Sequence, residues 1–194
     1  DFCCGGSDTL ANAAAEKGLN LAEIETRLTE LQNSKAENPE EYWVNATYPE
    51  IIDHILVRYH QRHREQLQEL IVLADRVESV HGDREDCPIG VAAELRNVYE
   101  DLSNHMMKEE HVLFPMIKAG NYMMAQMPIR MMEMEHAEHG EHLDVLKSLT
   151  NNMTPPADAC NTWRALYSGI QEFADDLMMH IHRENNILFP RVIA

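Results

Sequence analysis

One pattern occurs twice in this chain and limits what it can fold into. His105-x-x-x-Glu109 runs on to Leu113-Phe114-Pro115, and 75 residues later His180-x-x-x-Glu184 runs on to Leu188-Phe189-Pro190. On a helix, residues four apart lie on one face about one turn apart. An imidazole and a carboxylate placed this way can grip one metal ion or bridge two. A second pair repeats at nearly the same period: Tyr59-His60-Gln61-Arg62-His63 aligns with Glu135-His136-Ala137-Glu138-His139. Each half therefore reads His-x-x-His, a gap, then His-x-x-x-Glu, and an internal repeat of this length implies two similar helix pairs.

Start and stop signals delimit four long helices. The first opens at Thr47-Tyr48-Pro49-Glu50, a capping box with proline in the first turn, and reaches about Val80. The second runs from near Pro88 to about Lys118, before Gly120. The third runs from near Pro128 to about Asn151, and the fourth follows Thr154-Pro155-Pro156 and reaches about Leu188. Nothing reads as a strand. Short loops between four such helices predict an all-α, up-down four-helix bundle over 47–194. Ahead of it, residues 1–38 read as a small helical module carrying Cys3 and Cys4. Ser7-Asp8 is the expected cap of a short helix ending at Lys17-Gly18, and Asn20-Leu21-Ala22-Glu23 opens a second one to about Gln32. Residues 34–46 read as a linker.

The His/Glu pairs lie on the apolar stripes. The first helix reads Leu56, His60, His63, Leu67, Leu70, Ala74. The second reads Leu95, Val98, Leu102, His105, Glu109, Val112, Met116. The third reads Ile129, Met132, His136, His139, Leu143, Leu146, and the fourth Phe173, Leu177, His180, Glu184, Ile187. A lone histidine on an apolar face is ordinarily a core residue with a hydrogen-bond partner. Two carboxylates and six imidazoles converging from four helices are different, because burying unpaired charge costs several kcal/mol. A metal is the simplest shared partner. Imidazole with carboxylate suits iron, manganese or zinc. One structural zinc takes about four ligands, fewer than are available, so a dinuclear centre fits better. Periodicity does not choose between His60 and His63, or between His136 and His139. The remaining histidines (His54, His81, His111, His142 and His182) have no histidine counterpart in the other half and read as surface or supporting residues.

Composition excludes several classes. A net charge of −17 disfavours nucleic acid and anionic membrane surfaces. No apolar run reaches the ~18 residues a spanning helix needs. Four cysteines in 194 residues make no disulfide framework and point to a reducing, cytoplasmic setting.

The motif set resembles the hemerythrin-like domain, a four-helix bundle with a non-haem di-iron site. Two departures separate it from oxygen carriers of that class: Gly140 stands where they have a further ligand histidine, and the last motif is His180-x-x-x-Glu184 rather than His-x-x-x-x-Asp. The N-terminal Asp1-Phe2-Cys3-Cys4-Gly5-Gly6, with Thr9-Leu10, Ile51-Ile52-Asp53-His54-Ile55, Arg58-Tyr59-His60, His105-Met106-Met107-Lys108-Glu109-Glu110 and Leu113-Phe114-Pro115-Met116, is similar to the iron–sulfur-cluster repair di-iron proteins. That family's module begins upstream of the cysteine pair, so a preceding segment is expected.

The resemblance implies two non-haem iron ions with an oxo or hydroxo bridge. His60, His105, His136 and His180 are then terminal ligands, with Glu109 and Glu184 bridging. His63 and His139 would stand behind the ligands, holding them or carrying protons, and Glu135 would line access. The implied function is repair of iron–sulfur clusters damaged by nitric oxide or oxidants, in the cytoplasm, as a stress response. Its partners would be damaged iron–sulfur proteins, with nitric oxide or oxygen as the small ligand. Cys3 and Cys4 would be the handle for iron, a nitrosyl group or an electron, and a homodimer is compatible. The alternatives are catalytic reduction of nitric oxide or nitrite-derived species, and an oxygen or nitric oxide sensor or carrier.

Overall fold

The computed structural model describes residues 9–33 and 39–194, those at 30–33, 39 and 40 by backbone alone. Cys3, Cys4 and the Ser7-Asp8 cap expected from the sequence lie outside them. No strand occurs among the described residues. The chain divides into two compact units, 1–46 and 47–194.

In the first unit, α1 spans Leu10–Glu16, α2 spans Leu21–Asn33 and α3 spans Pro39–Asn45. The cap of α1 is Thr9, whose hydroxyl accepts from the Asn12 amide at 3.2 Å. Gly18, at φ +62°, supplies the left-handed turn that ends it. Asn20 opens α2 as expected, its side-chain oxygen accepting from the Ala22 amide at 3.0 Å. The linker expected over 34–46 is helical in its second part. Pro39 occupies the first position of α3, where a missing amide hydrogen costs nothing.

In the second unit, α4 comprises residues 48–81, α5 residues 91–118, α6 Tyr122–Leu149 and α7 residues 161–193. They form the four-helix bundle, with α4 packed against α5 and α7, and α6 against α5 and α7. The core is built on Trp163, Phe173, Leu95, Leu102 and Leu67, all buried. The capping box of α4 is formed: the Thr47 amide donates to Glu50 at 2.8 Å, and the Glu50 amide to the Thr47 hydroxyl. Helix α5 begins three residues later than Pro88. Gly90 sits at φ +102°, and Glu78 of α4 accepts from the amides of Gly90 (3.2 Å) and Ala92 (2.8 Å), so the neighbouring helix supplies the cap.

Helix α6 begins six residues before the expected Pro128, which lies inside it. The carbonyl left without a proline amide belongs to Met124, an exposed residue that water can reach. Its far end is closed by Asn151, Asn152 and Met153, all at positive φ. Helix α7 continues past Leu188 to Ile193.

The main departure from a regular bundle is a wide turn in three of the four helices. Ile55–His60 in α4, Glu109–Leu113 in α5 and Arg183–Leu188 in α7 are π-helical. A π turn holds one more residue than an α turn, so it rotates everything beyond it around the helix axis. The expected stripe on α5 therefore fails after Glu109. Val112 is 43% exposed and Met116 half-buried, while Leu113 and Ile117, one position on, are each 1% exposed. In α4 the expected Leu56 is half-buried, and Ile55 and Tyr59 are buried instead. In α6, which has no π turn, all six expected positions are buried. Two of the three wide turns are followed by a proline, Pro115 and Pro190, each of which removes an amide from the helix.

Candidate metal centre

The wide turns lie where the polar residues converge. His60 ends the first, Glu109 begins the second and Glu184 sits in the third. His105 and His180 lie in the α-helical turn just before the second and third. These five residues, and His136 from the middle of α6, are fully buried.

They form two clusters that share both carboxylates. His60, His180, Glu109 and Glu184 offer donor atoms within 4.8 Å of one another, and so do His105, His136, Glu109 and Glu184. Glu109 Oε2 lies 3.3 Å from His60 Nε2 and 3.4 Å from His105 Nε2. Glu184 divides its oxygens, Oε2 lying 3.1 Å from His136 Nε2 and Oε1 3.3 Å from His180 Nε2. The two glutamates thus face both clusters, one from α5 and one from α7.

Three outward-facing ring nitrogens are tied down, those of His60, His105 and His136. His60 Nδ1 pairs with Glu110 at 2.8 Å, and Arg64 holds Glu110 in turn. His105 Nδ1 pairs with Glu135 at 3.0 Å, and Lys108 holds Glu135. His136 Nδ1 lies 2.8 Å from the Asn185 side-chain oxygen. An acceptor at Nδ1 fixes the proton there and points the Nε2 lone pair inward.

The centre of the site lacks protein partners. Both oxygens of Glu109, both of Glu184, and Nε2 of His60 and of His180 are buried without hydrogen-bond geometry to any group. His105 Nε2 and His136 Nε2 face each other at 3.1 Å, which requires a proton or a cation between them. Carboxylate and imidazole donors, inward lone pairs and unmet buried oxygens are the conditions a cation satisfies.

Electrostatics agree. Burial alone would drive His105 toward neutrality, but Glu109 and Glu135 overcome it and hold the imidazole up at about 10. His60 is also raised, Glu109 and Glu110 outweighing its burial. Glu109 is pushed up by burial and by Glu184, yet His105 and His60 bring it down to about 2. The His60 and His105 contacts likewise hold Glu110 and Glu135 at about 2. His180 lies well below the usual range through burial and the neighbouring His60. Without a cation, protons on His60 and His105 offset the paired carboxylates, and these are the charges a metal displaces.

His63 and His139 are buried but belong to neither cluster. Burial, followed by His180, holds His63 well below the ordinary imidazole value; burial and His105 bring His139 to about 2. The His63 ring lies 5.3 Å from that of His180, and the His139 ring meets His105 edge-on at 4.9 Å. Nε2 of each is buried without a partner. Glu135, expected beside an access route, is half-buried on His105. Glu110 and Asn185 were missed by sequence reasoning. The signal was present, since they occupy equivalent positions 75 residues apart, one after each of Glu109 and Glu184.

A four-helix bundle carrying this His/Glu site is a hemerythrin HHE cation binding domain, and the model of that family matches residues 51–192. A second family model, described as a domain of unknown function, matches residues 1–32. A Haemophilus influenzae protein named "Probable iron-sulfur cluster repair protein" is 68% identical over 193 residues, covering 100% of this chain and 86% of its own length. Proteins named "Iron-sulfur cluster repair protein YtfE" from Musicola paradisiaca and Escherichia coli are each 56% identical, over all of this chain and 86% and 87% of theirs. The chain belongs to this family of iron–sulfur cluster repair proteins. No described helix is long and apolar enough to cross a membrane.

Proposed function

We propose that this protein restores iron–sulfur clusters damaged by nitric oxide or oxidants, using two non-haem iron ions held at the two clusters. The observation that carries the reading is the sharing of Glu109 and Glu184 by two ion-sized donor sets. His60 and His180 would hold one ion and His105 and His136 the other, with both glutamates and an oxo or hydroxo group between them. The ions would supply redox chemistry and a binding position for nitric oxide or oxygen, and iron itself would be cargo for a damaged cluster. The residues do the rest. Glu110, Glu135 and Asn185 orient three imidazoles. The apolar walls around the site, with Phe114 against His60 and Phe189 against His136, exclude water. Protonation of His60 or His105 favours release, because a ligand must be deprotonated to bind. Cys3 and Cys4 are proposed to receive iron, a nitrosyl group or an electron. The setting is cytoplasmic, and the targets are other proteins' damaged iron–sulfur centres.

The test is metal content and Mössbauer spectroscopy on protein purified without added metal, followed by iron transfer to a nitric-oxide-damaged cluster. Two irons per chain with a coupled non-haem signal, lost in Glu109→Ala and in Glu184→Ala, are expected. One zinc, or no metal in a folded protein, would exclude the reading.

A further inference from the structure

The internal repeat brings equivalent residues to equivalent places around the two clusters, and at one place it breaks down. His60 of α4 corresponds to His136 of α6, and His105 of α5 to His180 of α7. The outer partners correspond too. Glu110 on His60 matches Asn185 on His136, and both supply an oxygen to Nδ1 at 2.8 Å. Glu135 on His105 has Tyr59 as its counterpart, and Lys108, which holds Glu135, has Arg183. Tyr59 gives no such oxygen. Its ring lies face to face with His180, 5.3 Å between centroids and 10° between planes, and its hydroxyl is engaged by Arg183. Nδ1 of His180 is buried without any hydrogen-bond partner.

The cluster of His105 and His136 thus has both rings oriented by an acceptor, and the cluster of His60 and His180 has one. An acceptor at the outer nitrogen fixes ring orientation and raises the basicity of the ligating nitrogen. Losing such a partner commonly costs ~10–100-fold in metal affinity. Stacking on Tyr59 holds the plane of the His180 ring but leaves its basicity unassisted.

We infer that the two ions are held unequally, with Tyr59 as the positioning residue that makes the His60–His180 ion the one released first. This rests on the two-ion reading above and specifies which ion is the transferable one. The repeat would then have produced one retained ion and one exchangeable ion from a symmetrical plan.

The experiment uses the full chain loaded anaerobically with two ferrous ions and mixed with excess ferrozine, release being followed by absorbance. Two phases of one ion each are expected, separated by roughly 10–100-fold in rate. Tyr59→Glu places a carboxylate beside His180 with Arg183 to balance it, as Lys108 balances Glu135. It should slow the fast phase toward the slow one. Asn185→Leu should accelerate only the slow phase, and Asn185→Asp, which restores an acceptor, should reverse that effect. Release of both ions in one phase would overturn the inference while leaving the two-ion centre intact. So would acceleration of the fast phase by Asn185→Leu. Fewer than two ions bound by the folded chain would overturn the two-ion reading and this inference with it. If Tyr59→Glu does not fold, the Asn185 pair decides alone.

Discussion

Replacing Glu109 by glutamine keeps the volume of the side chain and removes one charge, so its effect on the metal-free protein can be worked out from the site. His105 is held at about 10 against an ordinary 6.5, with Glu109 the leading group opposing its burial. At ~1.36 kcal/mol per pH unit, that interval corresponds to roughly 5 kcal/mol, shared with Glu135 and Glu184. Glu109→Gln should therefore cost the metal-free bundle about 2–5 kcal/mol. The sign with pH is fixed. A raised histidine contributes stability that is fully present below its unfolded value of 6.5 and lost as pH rises through about 10. Glu109, lowered to about 2 from 4.5, contributes above 4.5 and loses its contribution as pH falls through about 2. The pair works best between 4.5 and 6.5. Urea denaturation of metal-free parent and variant near pH ~5.5 should show the full gap, and the gap should close as pH rises through about 10. In thermal scans the same gap is on the order of 10 °C for a unit of this size. A gap of equal size at both ends of that range would refute the reasoning, because it would mean that His105 carries no proton in the metal-free site.

Three further outcomes follow from the same structure. Loading the metal-free protein near pH ~7 should release at least one proton per chain, since His60 and His105 are raised and must give up protons to bind; calorimetry in two buffers of different ionisation heat measures it, and no release would contradict the charge assignment. Leu113→Ala should cost ~2–5 kcal/mol and Val112→Ala under ~1 kcal/mol in urea titrations, the reverse of what an uninterrupted α-helix would give. Glu78→Ala should cost ~1 kcal/mol and speed amide exchange at Gly90 and Ala92, whose hydrogens it caps.

The sequence carried the site further than it carried the helices. The doubled His-x-x-x-Glu spacing, read with the His-x-x-His pairs, marks eight residues, and the resemblance singles out six of them; the donors of those six converge, because a four-residue spacing stays on one face even beside a wide turn. Burial did not decide between His60 and His63, as both are buried; only the convergence of donors separates them. What regular periodicity does not encode is the extra residue per π turn, and so Val112 and Met116 were placed inward and Leu113 and Ile117 were not. The start of α6 was misplaced because proline is a stronger start signal than Asn121, although a helix tolerates it where the freed carbonyl faces water. The acceptors Glu110 and Asn185 were hidden by their position: each adjoins or follows a conspicuous glutamate, and nothing in a stripe marks a residue that reaches sideways to a neighbouring helix.

Each donor cluster draws one histidine from either half of the repeat, His60 with His180 and His105 with His136. Neither half, taken alone, contains a complete set. An ancestral helix hairpin of this kind would have needed a second copy of itself, and the pair would have enclosed two identical sites related by a twofold axis. Two copies joined in one polypeptide need not stay identical. In such a chain a difference at two matching positions, such as Tyr59 against Glu135, bears on a single site, and under the two-ion proposal each ion would be free to have its own lifetime.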